Sequence, residues 1–494
     1  MSSVAGSASR DLSGRPERSS ALEMLHAIVA ASFVFLYLVL LRLMTLCLAP
    51  GLLFVRFAGL SPTIRRFRYL SLMIGESAVV GLGSAIDTRW SDWPVLLGVI
   101  PALLGSLALV QVSAAAIVRP PKSLDDVKPE NALERWFAKR LRKPVDVYFV
   151  RVVWQNTLVA LPAYAALVSP VSFGIWTMTM YVVALLTCAS TQQNLVHTDC
   201  HNHMFRWRHL SHRVDRLIFR TFDLYAKYAL MIMVSRVPLH YGVEHLTIHH
   251  VENNGVHDVQ TTLFYDRTSF LDFCKAALRE GVSGTIAIPI YRYLNERKMW
   301  RPRRRLTKGL EIWLGSLGLV AIICAPAAAF MFCVRFLAGV PTAASMFMWH
   351  GFVDLDRIDN CFAITTNIVP LETLGVQFMH ADHHAHPNQH WTRQYENLST
   401  EGEVYGREGT INLRPMANLN FMVVKALWRK RYDVLARWYI PIGGGFEDRN
   451  ELAKVLQQRT RPLVERERGP FYRAVDDWLG WIAAEYLTPG RLPK

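Results

Sequence analysis

Long apolar runs alternate with long polar stretches along this chain. A helix needs about 20 mostly apolar residues to cross a bilayer, and several runs reach or approach that length. They cover residues 24–48, 70–86, 93–118, 152–168, 171–190, 309–333 and 334–348. The pattern predicts an all-α fold, a polytopic bundle of transmembrane helices with a helical cap outside the membrane.

The polar stretches divide the chain into predicted regions. These are a Ser-, Gly- and Arg-rich, disordered N-terminus (1–22); transmembrane helices with a cytosolic loop at 119–150 (23–190); a histidine-rich cytosolic region (191–308); a transmembrane hairpin (309–348); and a second cytosolic region ending in the cap (349–494). Pro326 and the Gly339-Val340-Pro341 stretch are the expected breaks of the hairpin. Because a hairpin leaves and returns, both polar regions should lie on the same membrane face.

Basic residues place that face in the cytoplasm. The formal net charge is +15, and the basic clusters adjoin apolar runs, which is the positive-inside pattern of cytoplasmic loops. The clusters are Arg65, Arg66 and Arg68; Arg135, Lys139, Arg140, Arg142 and Lys143; and Arg297, Lys298, Arg301, Arg303, Arg304 and Arg305. We expect an integral membrane protein, of the inner membrane in a bacterium, in contact with lipid. The sequence has no nucleic-acid-binding motif.

The cysteines exclude several classes of site. There are seven, an odd number, and no two have the C-x-x-C spacing. This pattern argues against a disulfide framework and a zinc ribbon. It also argues against a fused rubredoxin or another cysteine-ligated iron–sulfur domain.

The histidines are confined to the two polar regions, since 16 of the 17 lie between residues 197 and 390. Three groups have ligand spacing: "HTDCH" from 197, "EHLTIHH" from 244 and "HADHH" from 380. Residues four apart on a helix share a face, so His197 faces the same way as His201, and His245 the same way as His249. His250 would then serve a neighbouring ion. His350, in "MWHGF", follows the apolar hairpin directly.

Nine imidazoles at one membrane surface are too many for one ion and suit two. The predicted ligands are His197, His201, His245, His249, His250, His350, His380, His383 and His384. Imidazole suits iron, copper and zinc. Adjacent carboxylates can orient such rings, and we expect Asp199, Glu244 and Asp382 to do so. We assign no catalytic residue beyond the metal ligands.

These boxes resemble those of the integral-membrane, non-haem di-iron superfamily of fatty-acid desaturases and alkane or xylene hydroxylases. "EHLTIHH" resembles the hydroxylase-type EHxxGHH box, with Ile248 at the glycine position, and "HADHHAHP" resembles an HSDHHA-type box. The resemblance covers about residues 150–390. It implies two iron ions, dioxygen as co-substrate and a fatty acyl or alkyl substrate.

The boxes do not decide the reaction. Hydroxylation is slightly favoured by the form of the second and third boxes; the alternatives are desaturation and oxidative decarboxylation to a terminal alkene. A metal transporter is the alternative from another class, although its ionisable residues should lie within the spans. A catalytically dead lipid-binding relative would lack iron.

An oxygenase of this kind needs electrons from elsewhere, because the chain has no haem, flavin, rubredoxin or ferredoxin motif. We expect a separate donor of the ferredoxin, rubredoxin or cytochrome b5 type. Arg303, Arg304 and Arg305 are the predicted docking residues. The alternative is that these arginines anchor the chain to anionic lipid.

Overall fold

The computed structural model describes residues 23–39, 42, 62–89, 91–118, 127–358, 360–367, 379–414, 419–465 and 468–487. This part of the chain is mostly helical, as predicted. Its two short strands, β1 (Thr366–Asn367) and β2 (Ile411–Asn412), pair in parallel. The predicted disorder of residues 1–22 and the later part of the first predicted span lie outside the described residues.

The described part of residues 23–202 forms long, mostly apolar helices and two short helices, α2 and α5. They are α1 (Glu23–Val39), α2 (Pro62–Arg66), α3 (Arg68–Arg89), α4 (Trp93–Ile117), α5 (Ala132–Ala138), α6 (Val147–Val168) and α7 (Ile175–Asn202). Three helical runs of the described residues are long and apolar enough to cross a membrane: α3, α4 and Trp300–His350. The sequence also predicts crossings for α6 and α7. Both are helical and long enough, at 22 and 28 residues, but they are less apolar than these three runs.

The middle of the chain consists of helices of very different length, from three residues in α11 to 38 residues in α14. They are α8 (Arg213–Leu224), α9 (Leu230–Met233), α10 (His240–Glu244), α11 (His250–Glu252), α12 (Phe270–Ile286), α13 (Ile288–Glu296), α14 (Trp300–Leu337) and α15 (Gly339–His350). Five-residue π-helical turns precede α9 (Tyr225–Ala229) and α11 (His245–His249).

Helix α14 folds back on itself. Cys324 is non-helical, with φ −150° and ψ 89°, and Pro326 follows it. Gly309, before this break, packs against the Pro238 carbonyl. Arg335, after the break, donates to the Gly284 carbonyl at 2.8 Å, and the neighbouring Ser283 carbonyl contacts His240, two residues from Pro238. Both ends of α14 therefore reach the same region, whereas a straight helix would hold Gly309 and Arg335 about 39 Å apart. The chain therefore bends back at Cys324, beside Pro326, which is one of the two predicted breaks; at the other, α15 begins at Gly339.

The C-terminal region forms the helical cap. Its elements are α16 (Cys361–Ile364), α17 (His380–Ala385), α18 (Gln394–Arg407), α19 (Leu419–Trp428), α20 (Tyr432–Trp438), α21 (Arg449–Arg459) and α22 (Pro470–Leu487). Buried leucines such as Leu427, Leu435 and Leu452 share one apolar core with Met348 of α15. The cap therefore packs directly against the helix that ends in His350.

Arg267 fastens this cap to the rest of the molecule. Its side chain is completely buried and donates only to backbone carbonyls. The acceptors are Gly351 at 3.2 Å, Thr262 at 3.0 Å, Tyr265 at 2.9 Å and Arg459 at 2.8 Å, together with Arg461. One guanidinium thus joins the end of α21 to the residue after His350.

Candidate metal centre

Four separate parts of the chain deliver the nine predicted histidines to one place. The end of α7 holds His197 and His201, and the segment from the second π-helical turn into α11 holds His245, His249 and His250. His350 is the last residue of α15, and α17 holds His380, His383 and His384. The rings form two adjacent groups, each compact enough to hold a metal ion.

The first histidine group comprises His197, His201, His245 and His383, whose ligand atoms all lie within 4.8 Å of one another. His383 is at its centre. The Nε2 atom of His383 lies 2.7 Å from that of His197 and 3.2 Å from that of His245. His250 joins from the side, with its Nε2 atom 2.9 Å from that of His383 and 3.1 Å from that of His245.

Hydrogen bonding cannot satisfy this arrangement. An imidazole nitrogen has either one proton or one lone pair, so the mutually close Nε2 atoms of His245, His250 and His383 cannot all pair with one another. A cation accepts every lone pair at once. Two ring nitrogens that bind the same ion, each at about 2.1 Å and with an N–metal–N angle of about 90°, lie about 3.0 Å apart. The observed separations of 2.7 to 3.2 Å fit a metal site.

The second histidine group comprises His249, His350, His380 and His384, all buried and again with ligand atoms within 4.8 Å. The Nε2 atoms of His350 and His380 are 2.8 Å apart. Neither ring nitrogen of His384 has a hydrogen-bond partner among the residues that the structure describes. Because buried polar atoms without partners are costly, these orphaned nitrogens fit a bound cation.

A π-helical turn decides how the second box divides its rings. The backbone N–H of His250 donates to the carbonyl of His245, five residues earlier, instead of four. Residues 245 and 250 therefore come to the same side, and His249 turns toward the second group. Regular helical spacing pairs His245 with His249 and leaves His250 for the neighbouring ion. In the structure His250 joins His245 and His249 joins the second group, so the roles of His249 and His250 are exchanged. Such π turns are frequent at functional sites.

The rings are held in their neutral form. Burial, followed by repulsion from neighbouring imidazoles, lowers the pKa of most rings in both groups well below the usual value. This applies to His197, His245, His250, His380, His383 and His384. For His201, burial lowers the pKa to about 4. At neutral pH the lone pairs are available, as a metal ligand requires.

Two rings are oriented by acceptors on their far side. Nδ1 of His249 lies 2.7 Å from a carboxylate oxygen of buried Asp258, and Nδ1 of His201 lies 2.8 Å from the Pro387 carbonyl. Each Nδ1 can donate there, which leaves Nε2 as the metal-facing atom. Asp258 was missed from the sequence because it lies in a turn nine residues beyond His249, outside any helical spacing.

The three carboxylates predicted for this role have other partners in the described structure. Asp199 lies 3.3 Å from Lys227, and Glu244 accepts from Ser283 at 3.0 Å. Asp382 accepts from Tyr405 at 2.8 Å and lies 3.0 Å from His386. Adjacent positions on a helix point about 100° apart, so a carboxylate beside a ligand in sequence faces away from it.

Replacing Asp258 by asparagine should weaken metal binding at the second group. The amide keeps the size of the side chain but removes the charge that favours an Nδ1 proton on His249. Loss of such an orienting partner typically costs about 10- to 100-fold in metal affinity. Titration with a competing chelator measures the affinity directly. As a control, Asp448→Asn removes an exposed carboxylate that caps α21 and should leave the metal affinity unchanged. Equal metal affinities of Asp258→Asn and wild type would show that Asp258 does not support the site.

No protein-family model, curated protein or solved structure matches this chain. The site must therefore be interpreted from its own geometry and from the spacing of its histidines.

Proposed function

We propose that this chain is a membrane-bound di-iron oxygenase that uses dioxygen to attack an unactivated C–H bond of a fatty acyl or alkyl chain, with hydroxylation favoured. One observation carries the proposal: nine histidines from four chain segments converge in two adjacent groups, beside helices apolar enough to cross a membrane. The resemblance of the boxes to the desaturase and hydroxylase superfamily supports iron over the other metals that bind imidazole.

The residues present fit two ions. The first histidine group would hold one and the second the other, with His250 between them: its Nε2 atom contacts the first group, and its ring centroid is 4.6 Å from that of His384. Bound iron would supply the reduction of dioxygen and the power to oxidise a C–H bond, which no acid–base side chain can do.

The protein contributes rigidity and a dry environment. The Tyr241 ring stacks on His245 and the Trp349 ring on His380, each with centroids 4.8 Å apart. These aromatic walls keep water from the buried rings and fix their orientation. A site so enclosed, next to apolar helices, suits a substrate that arrives from the lipid phase at the cytoplasmic face.

Metal content and product analysis together test the function. Purified protein should contain two irons per chain and consume dioxygen when given a chemical or protein reductant and a panel of fatty acids and alkanes. Mass spectrometry would then separate hydroxylated, desaturated and decarboxylated products. Iron-loaded protein that consumes no dioxygen with any substrate would contradict an oxygenase, and metal uptake into liposomes would favour the transporter.

Arg305, one of the three predicted donor-docking residues, lies beside the segments that lead into the first histidine group. The guanidinium of Arg305 is 3.5 Å from the position that a Cβ on Gly242 would occupy. Its positive charge also acts on the thiol of Cys200, the residue before His201. An acidic electron carrier bound over Arg303, Arg304 and Arg305 would therefore be near the parts of the chain that hold His201 and His245.

Replacing these three arginines by glutamine should raise the donor concentration needed for half-maximal turnover and flatten its dependence on salt. Exposed charges steer association, and salt screens them beyond about 10 Å at 0.1 M. Turnover against donor concentration at two ionic strengths measures both effects. Arg449→Gln, which removes an exposed charge from the cap, is the control. Unchanged donor and salt dependence in the triple variant would leave lipid anchoring as the role of these arginines.

A further inference from the structure

Arg236, a guanidinium that pairs with no described carboxylate, contacts α7 one turn before the first histidine group. Arg236 is half-buried in the segment between α9 and α10, and it forms no ion pair with any carboxylate that the structure describes. Its hydrogen bond, at 2.6 Å, goes to the side-chain oxygen of Gln193. A guanidinium has five N–H donors, so most of them remain available to a ligand.

The position of Gln193 relates Arg236 to the histidines. Gln193 lies on α7 one turn before His197, on the side toward the apolar half of that helix. The Tyr241 hydroxyl lies close to the Gln193 side chain, and the Tyr241 ring stacks on His245. Arg236, Gln193 and Tyr241 therefore form a polar patch between the apolar helices and the first histidine group.

The backbone around Arg236 is held in an unusual shape. Ser235, directly before it, and Leu239, three residues after it, both have positive φ angles, of 50° and 62°. The Tyr181 hydroxyl fixes this segment by donating to the Met233 carbonyl at 2.8 Å and contacting the Ser235 hydroxyl at 2.8 Å. Left-handed non-glycine residues cost energy and persist where the surroundings impose them, often at functional sites.

The local charge balance favours an anion. Arg335 adds a second positive charge to the field at Arg236 and forms no ion pair with a described carboxylate. Glu244 and Glu280 are the carboxyls that act on Arg335. Burial, followed by repulsion from Glu244, raises the pKa of Glu280, which favours its uncharged form and leaves an excess of positive charge.

We propose that Arg236 binds the carboxylate of a fatty-acid substrate and holds it beside the first histidine group. The inference rests on the proposed function and names its substrate class: free fatty acids, in preference to alkanes or esters. Carboxylate recognition by a guanidinium is directional and strong. A head group fixed one helical turn from His197 would direct oxidation to carbons near the carboxyl end of the chain.

Ligand binding, measured without turnover, tests this site. The full chain in lipid nanodiscs would be titrated by displacement of a fluorescent fatty acid, using palmitic acid, methyl palmitate and a lysophosphatidic acid. Wild type should bind the acid at least about 10-fold more tightly than the ester, since a hydrogen bond to a charged group is worth about 10- to 100-fold in affinity. Arg236→Gln should remove that preference, Arg236→Lys should keep part of it, and Arg449→Gln should keep all of it.

The outcomes separate this proposal from the oxygenase function. Equal affinity of wild type for acid and ester would overturn it, as would an intact preference in Arg236→Gln. Tighter, Arg236-dependent binding of the lysophosphatidic acid would assign the site to a phosphate head group instead. Retention of both metal ions in Arg236→Gln shows that the variant is folded, and oxygen consumption with any substrate stays an independent measurement.

Discussion

Replacing His383 by alanine should release one of the two metal ions and weaken binding at the first histidine group by at least about 100-fold. The Nε2 atom of His383 is the one that approaches those of His197, His245 and His250, within 2.7 to 3.2 Å. Loss of a direct ligand should exceed the roughly 10- to 100-fold cost of losing an orienting partner. Elemental analysis of the purified protein measures the metal content per chain.

The second group provides a matched comparison. His384→Ala should release the other ion, because both nitrogens of His384 lack any partner among the described protein atoms. His212→Ala, which removes an exposed imidazole outside both groups, should keep two ions. Full metal content in His383→Ala would show that the first group does not bind a metal in the way its geometry indicates.

Replacing Arg267 by alanine should lower the stability of the folded protein by at least about 3 kcal/mol, since each buried acceptor left without a partner costs about 1 to 3 kcal/mol. The substitution would orphan the carbonyls of Gly351, Thr262 and the end of α21 together. Thermal unfolding followed by tryptophan fluorescence should show an earlier transition, and limited proteolysis should cut the cap first.

Arg292→Ala is the control for this substitution. The Arg292 side chain is 81% exposed, and its salt bridge is with Glu296 in the next turn of the same helix. Exposed ion pairs contribute about 0 to 1 kcal/mol, so the unfolding transition should hardly move. If Arg267→Ala unfolds like this control, the buried guanidinium does not fasten the cap.

The elements that the sequence predicts well are those with a local cause. Apolar length is enough to predict α3 and α4, and the spacing of four residues is enough to place His197 and His201 on one face. Clustering of 16 histidines in two polar regions is enough to predict that distant boxes meet. Each of these predictions depends on periodicity or composition, and both can be read directly from the sequence.

The parts that the sequence does not predict depend on the path of the backbone. Asp258 contacts His249 only because the chain turns back between them, and the spacing of nine residues does not predict that contact. The sequence offers two breaks, Pro326 and Gly339–Pro341, and does not decide between them. The bend lies at Cys324, ahead of Pro326, because proline lacks an N–H and its ring clashes with the preceding turn. Asp199 and Glu244 adjoin ligands in sequence, but helical geometry directs them elsewhere.

The π-helical turn at His245–His249 couples the length of this segment to the form of its backbone over evolutionary time. Such a turn contains one residue more than the regular helix it interrupts. Deleting one of Leu246, Thr247 or Ile248 would place His250 four residues after His245 in a regular helix, so the two rings would still share a face. If the turn became a regular helix at its present length, every later side chain would rotate by about 100° relative to His245. His249 and His250 would both survive in the sequence, yet each would face the wrong group.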